Sequence, residues 1–174
     1  PARSLVLLVD QTLGDASIEG GLADAHRFER MAEAAIAENP GAQVAAKLHP
    51  DVIGGGKRGY LLDIARRHGL TLIAENVTPW ALIELRPHVY TVSSQFGFEA
   101  LLGGCAVTCF GLPFYAGWGL TDDRVASPRR SRKRSVGELA AAVFLRYCHY
   151  FDVWRRTPVD AMTAIGQLSF LRNH

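Results

Sequence analysis

The sequence predicts an α/β fold: a Rossmann-like parallel sheet flanked by helices, followed by C-terminal helices. Short apolar runs alternate with segments of helical periodicity, as in repeated βα units. The runs are almost continuously apolar, which is typical of strands buried on both faces. Polar residues gather directly after three of these runs, at the edge where open α/β sheets bind ligands.

The predicted elements follow one another along residues 4–110. Five strands are expected over 4–9, 43–48, 70–74, 88–92 and 106–110, and helices over 22–38, 60–68, 79–85 and 94–102. The first helix stops at the turn-forming residues 39–41. Gly69 closes the second helix, Pro79 opens the third and Gly103 ends the fourth, positions that suit glycine and proline at helix termini.

The C-terminal third begins with an irregular loop of glycines and aromatic residues over 111–120, and 127–134 reads as a basic linker. Ser135 and Glu138 have the spacing of a capping box. It predicts a long helix whose apolar stripe runs to Trp154, and a last helix over 158–171. Residues 135–174 are therefore expected to be C-terminal helices of a single 1–174 domain.

Composition narrows the class of protein. At 174 residues, with 48% hydrophobic and 21% charged residues, the chain fits one ordinary globular domain. A net charge of +2 does not call for a nucleic-acid partner, and no apolar run approaches the roughly 20 residues of a membrane span. Three cysteines without paired short spacing argue against disulfides and zinc, which favours the cytoplasm. The start at Pro1, directly before an apolar strand, indicates a fragment of a longer protein.

Polar clusters follow the first, second and fourth predicted strands. They comprise residues 10–17, then His49, Pro50 and Asp51, and then Ser93, Ser94 and Gln95. Any one of them has a plain structural alternative, since Asp15 or Ser17 would serve equally well as a helix cap. Three clusters at three strand ends favour a ligand site.

Individual side chains in these clusters suggest anion binding. His49 could donate a hydrogen bond to a phosphate, or be a structural histidine. Ser93 and Ser94 precede a helix, whose free N–H groups attract anions. Glu99 could accept hydrogen bonds from a ribose diol, or only complement the helix dipole. The Lys47 side chain is expected to point to the side of its strand away from the ligand. A salt bridge there is the alternative to contact with a ligand.

Several familiar motifs fail. The glycine-rich segment 54–58 has Asp51 in place of the leading glycine of a phosphate loop, and Arg58 in place of its Ser or Thr. No dinucleotide fingerprint follows the first strand, no serine-hydrolase elbow is present, and no cluster suggests a metal. The basic run 129–134 is best explained as a solvated face; contact with anionic lipid or an acidic glycan is the alternative.

Five segments stand out when they are taken together: 9–18 (VDQTLGDASI), 47–51 (KLHPD), 72–77 (LIAENV), 93–101 (SSQFGFEAL) and 114–124 (FYAGWGLTDDR). They resemble the capsule polysaccharide biosynthesis proteins. Within that family they most resemble the N-terminal transferase module of two-module retaining β-Kdo transferases. The likeness runs over essentially the whole chain, through 145–148 (LRYC) to 172–174 (RNH).

The resemblance implies a GT-B glycosyltransferase with two Rossmann-like domains, of which this chain is the C-terminal, nucleotide-binding one. It implies CMP-β-Kdo as the donor. The implied acceptor is a growing Kdo linker on a lysophosphatidylglycerol or phosphatidylglycerol lipid. It also implies retention without metal or cofactor, a missing N-terminal acceptor domain, and a cytoplasmic protein peripheral to the inner membrane. The fragment alone is then expected to be inactive.

The resemblance also assigns residues by position. Asp15 matches the catalytic carboxylate, with Gln11 beside it. Gly14 stands where relatives carry a polar residue, which should not touch the chemistry. The matching segments assign substrate binding to Ser17, Lys47, His49, Pro50, Ser93, Ser94, Gln95 and Glu99. Among these, Glu99 matches the carboxylate at the nucleotide ribose.

The chemistry is consistent with these assignments. Retention needs two inversions, and a carboxylate nucleophile such as Asp15 divides the displacement into two easier steps. Hydrogen-bond donors would offset the charge that grows on the departing CMP. Two alternatives remain open: a CMP-binding or scaffold module without turnover, and an enzyme of the UDP-sugar epimerase type, which shares the fold.

Overall fold

The computed structural model describes residues 4–173, which form two compact units that meet in sequence at Lys133 and Arg134. Residues 1–3 and 174 of the predicted single domain lie outside the described part. The first unit contains a parallel sheet. Its strands are β1 Leu5–Val9, β2 Gln43–Lys47, β3 Thr71–Ile73, β4 His88–Thr91, β5 Val107–Cys109 and β6 Asp122–Asp123. The α/β prediction is confirmed.

The strand order is β3-β2-β1-β4-β5-β6. From β1 the chain proceeds outward through β2 to β3, and then crosses back to place β4 on the other side of β1. The direction of winding therefore reverses between β1 and β4, and ligands of doubly wound sheets bind in the crevice at such a point. The apolar strand predictions are explained by burial, because Leu7, Leu8 and Val89 are wholly inaccessible.

Helices cover both faces of the sheet. One layer, α2 with α4, packs on β1, β2 and β3; on the other, α5 packs against α6, which covers β4 and β5. Phe28 and Met31 of α2 join Leu61 of α4 in the core beneath the first layer. The helices of this unit are α1 Ala16–Gly20, α2 His26–Glu38, α3 Pro50–Ile53, α4 Leu61–His68, α5 Pro79–Ile83 and α6 Phe96–Leu102.

Two short helices at the carboxyl edge were not predicted. The expected helix over 22–38 starts only at His26, and α1 precedes it. Gly21 ends α1 as its C-cap. Glycine suits this position because a Cβ there would lie 2.7 Å from the Ser17 carbonyl oxygen. Pro50 opens α3 while His49 before it stays extended, so the proline both forces the turn and starts a helix.

The second unit departs most from the prediction. The capping box at Ser135 and Glu138 is present, but helix α7 Val136–Ala140 gives way to a wider π-helix, Ala141–Tyr147. Extended backbone at Cys148 then ends the helix, so the long helix to Trp154 is wrong. The chain continues as an antiparallel hairpin, β7 Tyr150–Phe151 with β8 Pro158–Val159, and ends in α8 Ala161–Asn173.

The basic segment 127–134 is not uniformly solvated. Arg130 is half-buried, and its guanidinium donates to the carbonyl oxygens of Pro113 and Ala116 and lies 5.7 Å from the Trp118 ring centre. It thereby holds the loop 111–120 in place. The other cations of the run, Arg129, Arg132, Lys133 and Arg134, are exposed.

Candidate functional site

The site is built at the carboxyl edge of the sheet, where the loops after β1 and β4 meet. Gln11, two residues past β1, and Ser93, two residues past β4, are both buried. The Gln11 amide oxygen accepts the Ser93 N–H at 2.9 Å, and the Gln11 Nε2 donates to the Ser93 hydroxyl at 3.0 Å. These bonds join the loop after β1 to the loop after β4, at the point where the direction of winding reverses.

Asp15 stands at the rim of this crevice as the N-cap of α1. Its Oδ1 accepts the Ser17 N–H at 2.9 Å, and its Oδ2 accepts from Gln11 Nε2 at 3.0 Å. Partial burial alone would raise the pKa of the Asp15 carboxyl. The hydrogen bonds from Gln11 and Ser17, with a smaller Coulombic contribution from His49, outweigh burial and lower that pKa. Asp15 is therefore an ionised, half-exposed carboxylate near neutral pH.

Gln11 is the centre of this hydrogen-bond network. Its Nε2 carries two hydrogens and has three acceptors within 3.1 Å, on Asp15, Ser17 and Ser93. The hydroxyls of Ser17 and Ser93 lie 3.1 Å apart. Because the network is closed on itself, it fixes the orientation of the Asp15 carboxylate.

A cavity of about 320 Å³ lies beside the network, within the size range of ligand pockets, roughly 300–1,000 Å³. Lys47, at the end of β2, and Glu99, in α6, both line this cavity. The two elements lie on opposite sides of the point between β1 and β4 where the direction of winding reverses. Burial lowers the pKa of Lys47 and raises the pKa of Glu99. Among the residues described, neither forms an ion pair, so the alternative salt bridge of Lys47 is not formed; its Nζ reaches only the Leu48 carbonyl oxygen, at 3.5 Å.

His49 also lines the cavity. Its Nδ1 accepts the N–H of Asp51 at 3.1 Å and so caps α3. A neutral ring in this role carries its proton on Nε2. The structural and functional readings of this histidine are therefore compatible, since one nitrogen caps the helix while the other remains able to donate.

The remaining predicted residues divide into two groups. Pro50 and Ser94 line the cavity, whereas Gln95 is exposed outside it and Ser93 is engaged with Gln11. The Ser94 hydroxyl accepts the N–H of Phe96, the first residue of α6, at 3.3 Å, so it satisfies one of the free N–H groups at the start of that helix.

Tyr115 holds the backbone of Ser94 through a hydrogen bond. The tyrosine is fully buried, and its hydroxyl donates to the carbonyl oxygen of Ser94. Burial raises the pKa of Tyr115 well above its ordinary value, so this hydroxyl keeps its proton. The aromatic loop 111–120 thus reaches the wall of the cavity.

The sequence predicted no binding role for two parts of the site. One is Asp10, the first residue after β1, which is buried in the cavity wall. The other is the loop after β3, which contributes residues 76–79. The rule that ligands meet the carboxyl ends of strands applies to β3 as well, so it would have found this loop.

Neither a candidate metal site nor a candidate membrane span occurs in residues 4–173. No group of three or more His, Cys, Asp or Glu side chains within this range could hold a metal ion. Over the same range, no helix is both long enough and apolar enough to cross a bilayer.

Sequence relatives place this arrangement in a family. Residues 2–150 match the family model described as capsule polysaccharide biosynthesis protein. The chain is 46% identical over 153 residues to the capsule polysaccharide modification protein LipA of Neisseria meningitidis serogroup B. It is 41% identical over 148 residues to the lipopolysaccharide-processing protein LpsZ of Rhizobium meliloti. These alignments cover 84% and 85% of this chain, but 22% and 34% of those proteins.

Solved structures are similar along nearly the whole chain. The β-Kdo 2,4 transferase KpsC of Thermosulfurimonas dismutans matches with a TM-score of 0.90 and 46% identity, over 97% of this chain and 52% of that one. The β-Kdo 2,7 transferase KpsC of the same organism matches with a TM-score of 0.79 and 33% identity, over 99% of this chain and 55% of that one. This chain therefore spans about half of each solved relative. On the family match and these identities, the chain belongs to the capsule polysaccharide biosynthesis protein family.

Proposed function

We propose that this chain is the donor-binding part of a retaining glycosyltransferase that transfers β-Kdo from CMP-β-Kdo during capsule assembly. The observation that carries the proposal is an ionised Asp15 beside a cavity whose cation and carboxylate, Lys47 and Glu99, have no ionic partners among the described residues. The likeness to two solved β-Kdo transferases supports the choice of sugar.

Asp15 is proposed as the nucleophile of a double displacement. In the first step the Asp15 oxygen bonds to the anomeric carbon as the bond to CMP breaks, and the bonding pair leaves with the phosphate. In the second step an acceptor hydroxyl, losing its proton to a base or solvent, displaces Asp15 and restores the original configuration. The bonds from Gln11 and Ser17 support this role, because they hold the carboxylate ionised and oriented.

The adjacent cavity is proposed as the CMP site. The Lys47 ammonium and the His49 Nε2–H suit a phosphate, and the half-buried Glu99 carboxylate suits the hydroxyls of a ribose. Opposite charges that are desolvated without pairing are costly, and a bound nucleotide would satisfy both. In this proposal protein donors alone offset the charge on the leaving phosphate, without a metal or other cofactor.

The acceptor side is proposed from the resemblance and from the length of the relatives. The proposed acceptor is a Kdo linker on a lysophosphatidylglycerol or phosphatidylglycerol lipid, bound by a further domain. A cytoplasmic enzyme at the face of the inner membrane would meet both substrates. Without that domain, the chain is expected to bind donor and not to complete transfer.

Asp15→Asn tests the mechanism in the polypeptide that includes the acceptor domain. Asparagine keeps the size and the capping ability of Asp15, so α1 and CMP binding should persist. Kdo transfer should fall by about three orders of magnitude or more, because the covalent route is closed. Mass spectrometry of unmutated protein soaked with donor should find a Kdo adduct on the peptide that carries Asp15.

Asp160→Asn is the matched control. Asp160 accepts the N–H of Thr163 at the start of α8, so the same change is made at another capping aspartate. This control should transfer Kdo normally. Normal transfer by the Asp15 variant would reject the nucleophile, and CMP binding without any transfer or adduct in the unmutated enzyme would favour a binding module.

A further inference from the structure

Asp10 is a buried carboxylate with an unusual set of partners. It is 1% exposed, and its Oδ1 accepts three backbone N–H groups: Gln11 at 3.0 Å, and Tyr60 and Leu61 at 2.9 Å each. Its Oδ2 is buried without a hydrogen-bond partner in the described chain. Burial raises the pKa of Asp10, and the N–H groups of Leu61, Tyr60 and Gln11 oppose that rise; the His49 N–H contributes least and makes no full hydrogen bond to this carboxylate. Such a group is costly, and its presence asks for an explanation.

The three N–H groups belong to two separate segments of the site. Gln11 lies on the loop that carries Asp15, whereas Tyr60 and Leu61 begin α4, fifty and fifty-one residues further along the chain. Tyr60, the N-cap of α4, has no capping side chain of its own. Asp10 therefore caps α4 from the end of β1 and ties that helix to the Asp15 loop.

Further contacts fasten the same two segments. Thr12 and Gly59 form an antiparallel bridge, and the Leu13 N–H donates to the Arg58 carbonyl oxygen at 2.8 Å. Gly59 is closely fitted to Asp10: a Cβ at this position would lie 2.1 Å from Asp10 Oδ2 and 2.9 Å from Val52. The glycine-rich segment 54–59, which is not a phosphate loop, thus ends in a close packing contact with Asp10.

We propose that Asp10 is a positioning residue for the Asp15 carboxylate. Its Oδ1 fixes the backbone of Gln11 against the start of α4, and the Gln11 amide in turn holds Asp15 Oδ2 at 3.0 Å. The role needs an acceptor oxygen at Oδ1 and the space that Gly59 leaves; it does not need the negative charge. Its catalytic consequence rests on the proposed function, in which Asp15 is the nucleophile.

The test is an NMR titration of the Asp15 carboxyl carbon in this 174-residue chain. Asp10→Ala removes Oδ1, and Gly59→Ala places a methyl group against Oδ2 and so displaces the carboxylate. Both variants should loosen the bond between Gln11 Nε2 and Asp15 and move the Asp15 midpoint to higher pH. Asp10→Asn keeps an acceptor oxygen and should titrate like the unmutated chain. Gly56→Ala is the control, because its Cβ would meet nothing nearer than the Asp51 carbonyl oxygen, at 3.7 Å. His49 is present in every variant, so a difference between variants does not come from loss of that side chain.

The outcomes separate positioning from simple capping. If Asp10→Ala and Gly59→Ala lower the melting temperature but leave the Asp15 midpoint where it was, Asp10 only caps α4 and the proposal is rejected. An equal upward shift in Asp10→Asn would also reject it, because an acceptor oxygen at this position would then not be enough to hold the Gln11 bond; loss of the Asp10 charge alone would move the midpoint to lower pH. Should Asp10→Ala fail to fold, Gly59→Ala and Asp10→Asn still decide. The titration needs neither donor nor acceptor substrate. The positioning proposal can therefore be rejected while the transferase proposal stands, and the transferase proposal can be rejected while the positioning proposal stands.

Discussion

At the scale of single residues, the site contains two kinds of polar side chain. Gln11, Asp15, Ser17 and Ser93 bond to one another and form a closed network. The second kind lines the cavity: neither Lys47 nor Glu99 has an ionic partner in residues 4–173, and the His49 Nε2 is not used by the α3 cap. The first group determines the geometry of Asp15, and the second is suited to recognise a ligand.

His49 gives a prediction in which its two roles separate. His49→Ala removes the α3 cap and the Nε2–H, whereas His49→Asn can keep the cap and loses only the reach of the ring. Both variants should lose about 1.5–3 kcal/mol of CMP binding, as for a hydrogen bond to a charged group. Only the alanine variant should also lose about 1 kcal/mol of folding stability.

Calorimetry and thermal unfolding measure the two effects. His26→Ala is the control, because His26 is exposed outside the cavity lining and should change CMP affinity little. A large drop in stability with unchanged CMP affinity in the alanine variant would show that His49 is structural only.

The sequence predicted this residue-level picture in part. Polar residues after buried strands predicted that Asp15, His49 and Ser94 would come to one edge, and they do. Asp10 could not be singled out, because its partners at the start of α4 depend on tertiary folding of residues fifty apart. Ser93 was expected at the substrate, but its bonds to Gln11 depend on the approach of β4 to β1.

At the scale of elements, the strands were easier to predict than the second unit. The five strands predicted are all present; burial on both faces accounts for the apolar run of β1, whereas β3 has no fully buried residue. Beyond Ala140 the apolar spacing suited a helix, but Tyr150 and Phe151 pair with residues 158–159 in a hairpin. Aromatic residues are common in both structures, so tertiary pairing decides between them. The short acidic β6 carries no apolar signal at all.

Helix α6 gives a prediction at the same scale. A Cβ on Gly97 would lie 2.2 Å from the Tyr115 hydroxyl and 3.0 Å from Thr91, so the tyrosine that supports Ser94 must move. Gly97→Ala should cost about 1–3 kcal/mol of stability, the usual effect of overpacking a core, and should weaken CMP binding. Thermal unfolding and calorimetry check both effects.

Gly137→Ala is the matched control, because it too lies in a helix, α7, and its Cβ would meet nothing within 4 Å. It should be neutral or stabilising by up to about 1 kcal/mol, since alanine favours helix. Adding Tyr115→Phe to Gly97→Ala removes the clashing hydroxyl and should recover part of the stability. No recovery, or equal effects of the two alanines, would contradict the fit between Gly97 and Tyr115.

At the scale of the whole molecule, the cavity beside the Asp15 network is contained within the first unit. Its lining comes from the loops after β1, β2 and β3 and from residues around α6, all of which precede Lys133. The cavity thus depends on one Rossmann-like sheet, although the chain spans only about half of each solved relative.

That arrangement predicts that this chain binds the nucleotide by itself. CMP should bind more tightly than UMP or UDP in calorimetry, and EDTA should not change its affinity. At a free concentration of 100 times the Kd, CMP should stabilise the fold by about 2.7 kcal/mol, because it binds the folded state only. Lys47→Met is the variant for comparison, because methionine keeps most of the length of the side chain and removes the buried charge. This variant should lose most of the stabilisation by CMP. Equal affinity for UDP, or binding that requires magnesium, would remove CMP as the donor nucleotide. Undiminished stabilisation of Lys47→Met would instead move the phosphate away from the cavity beside Asp15.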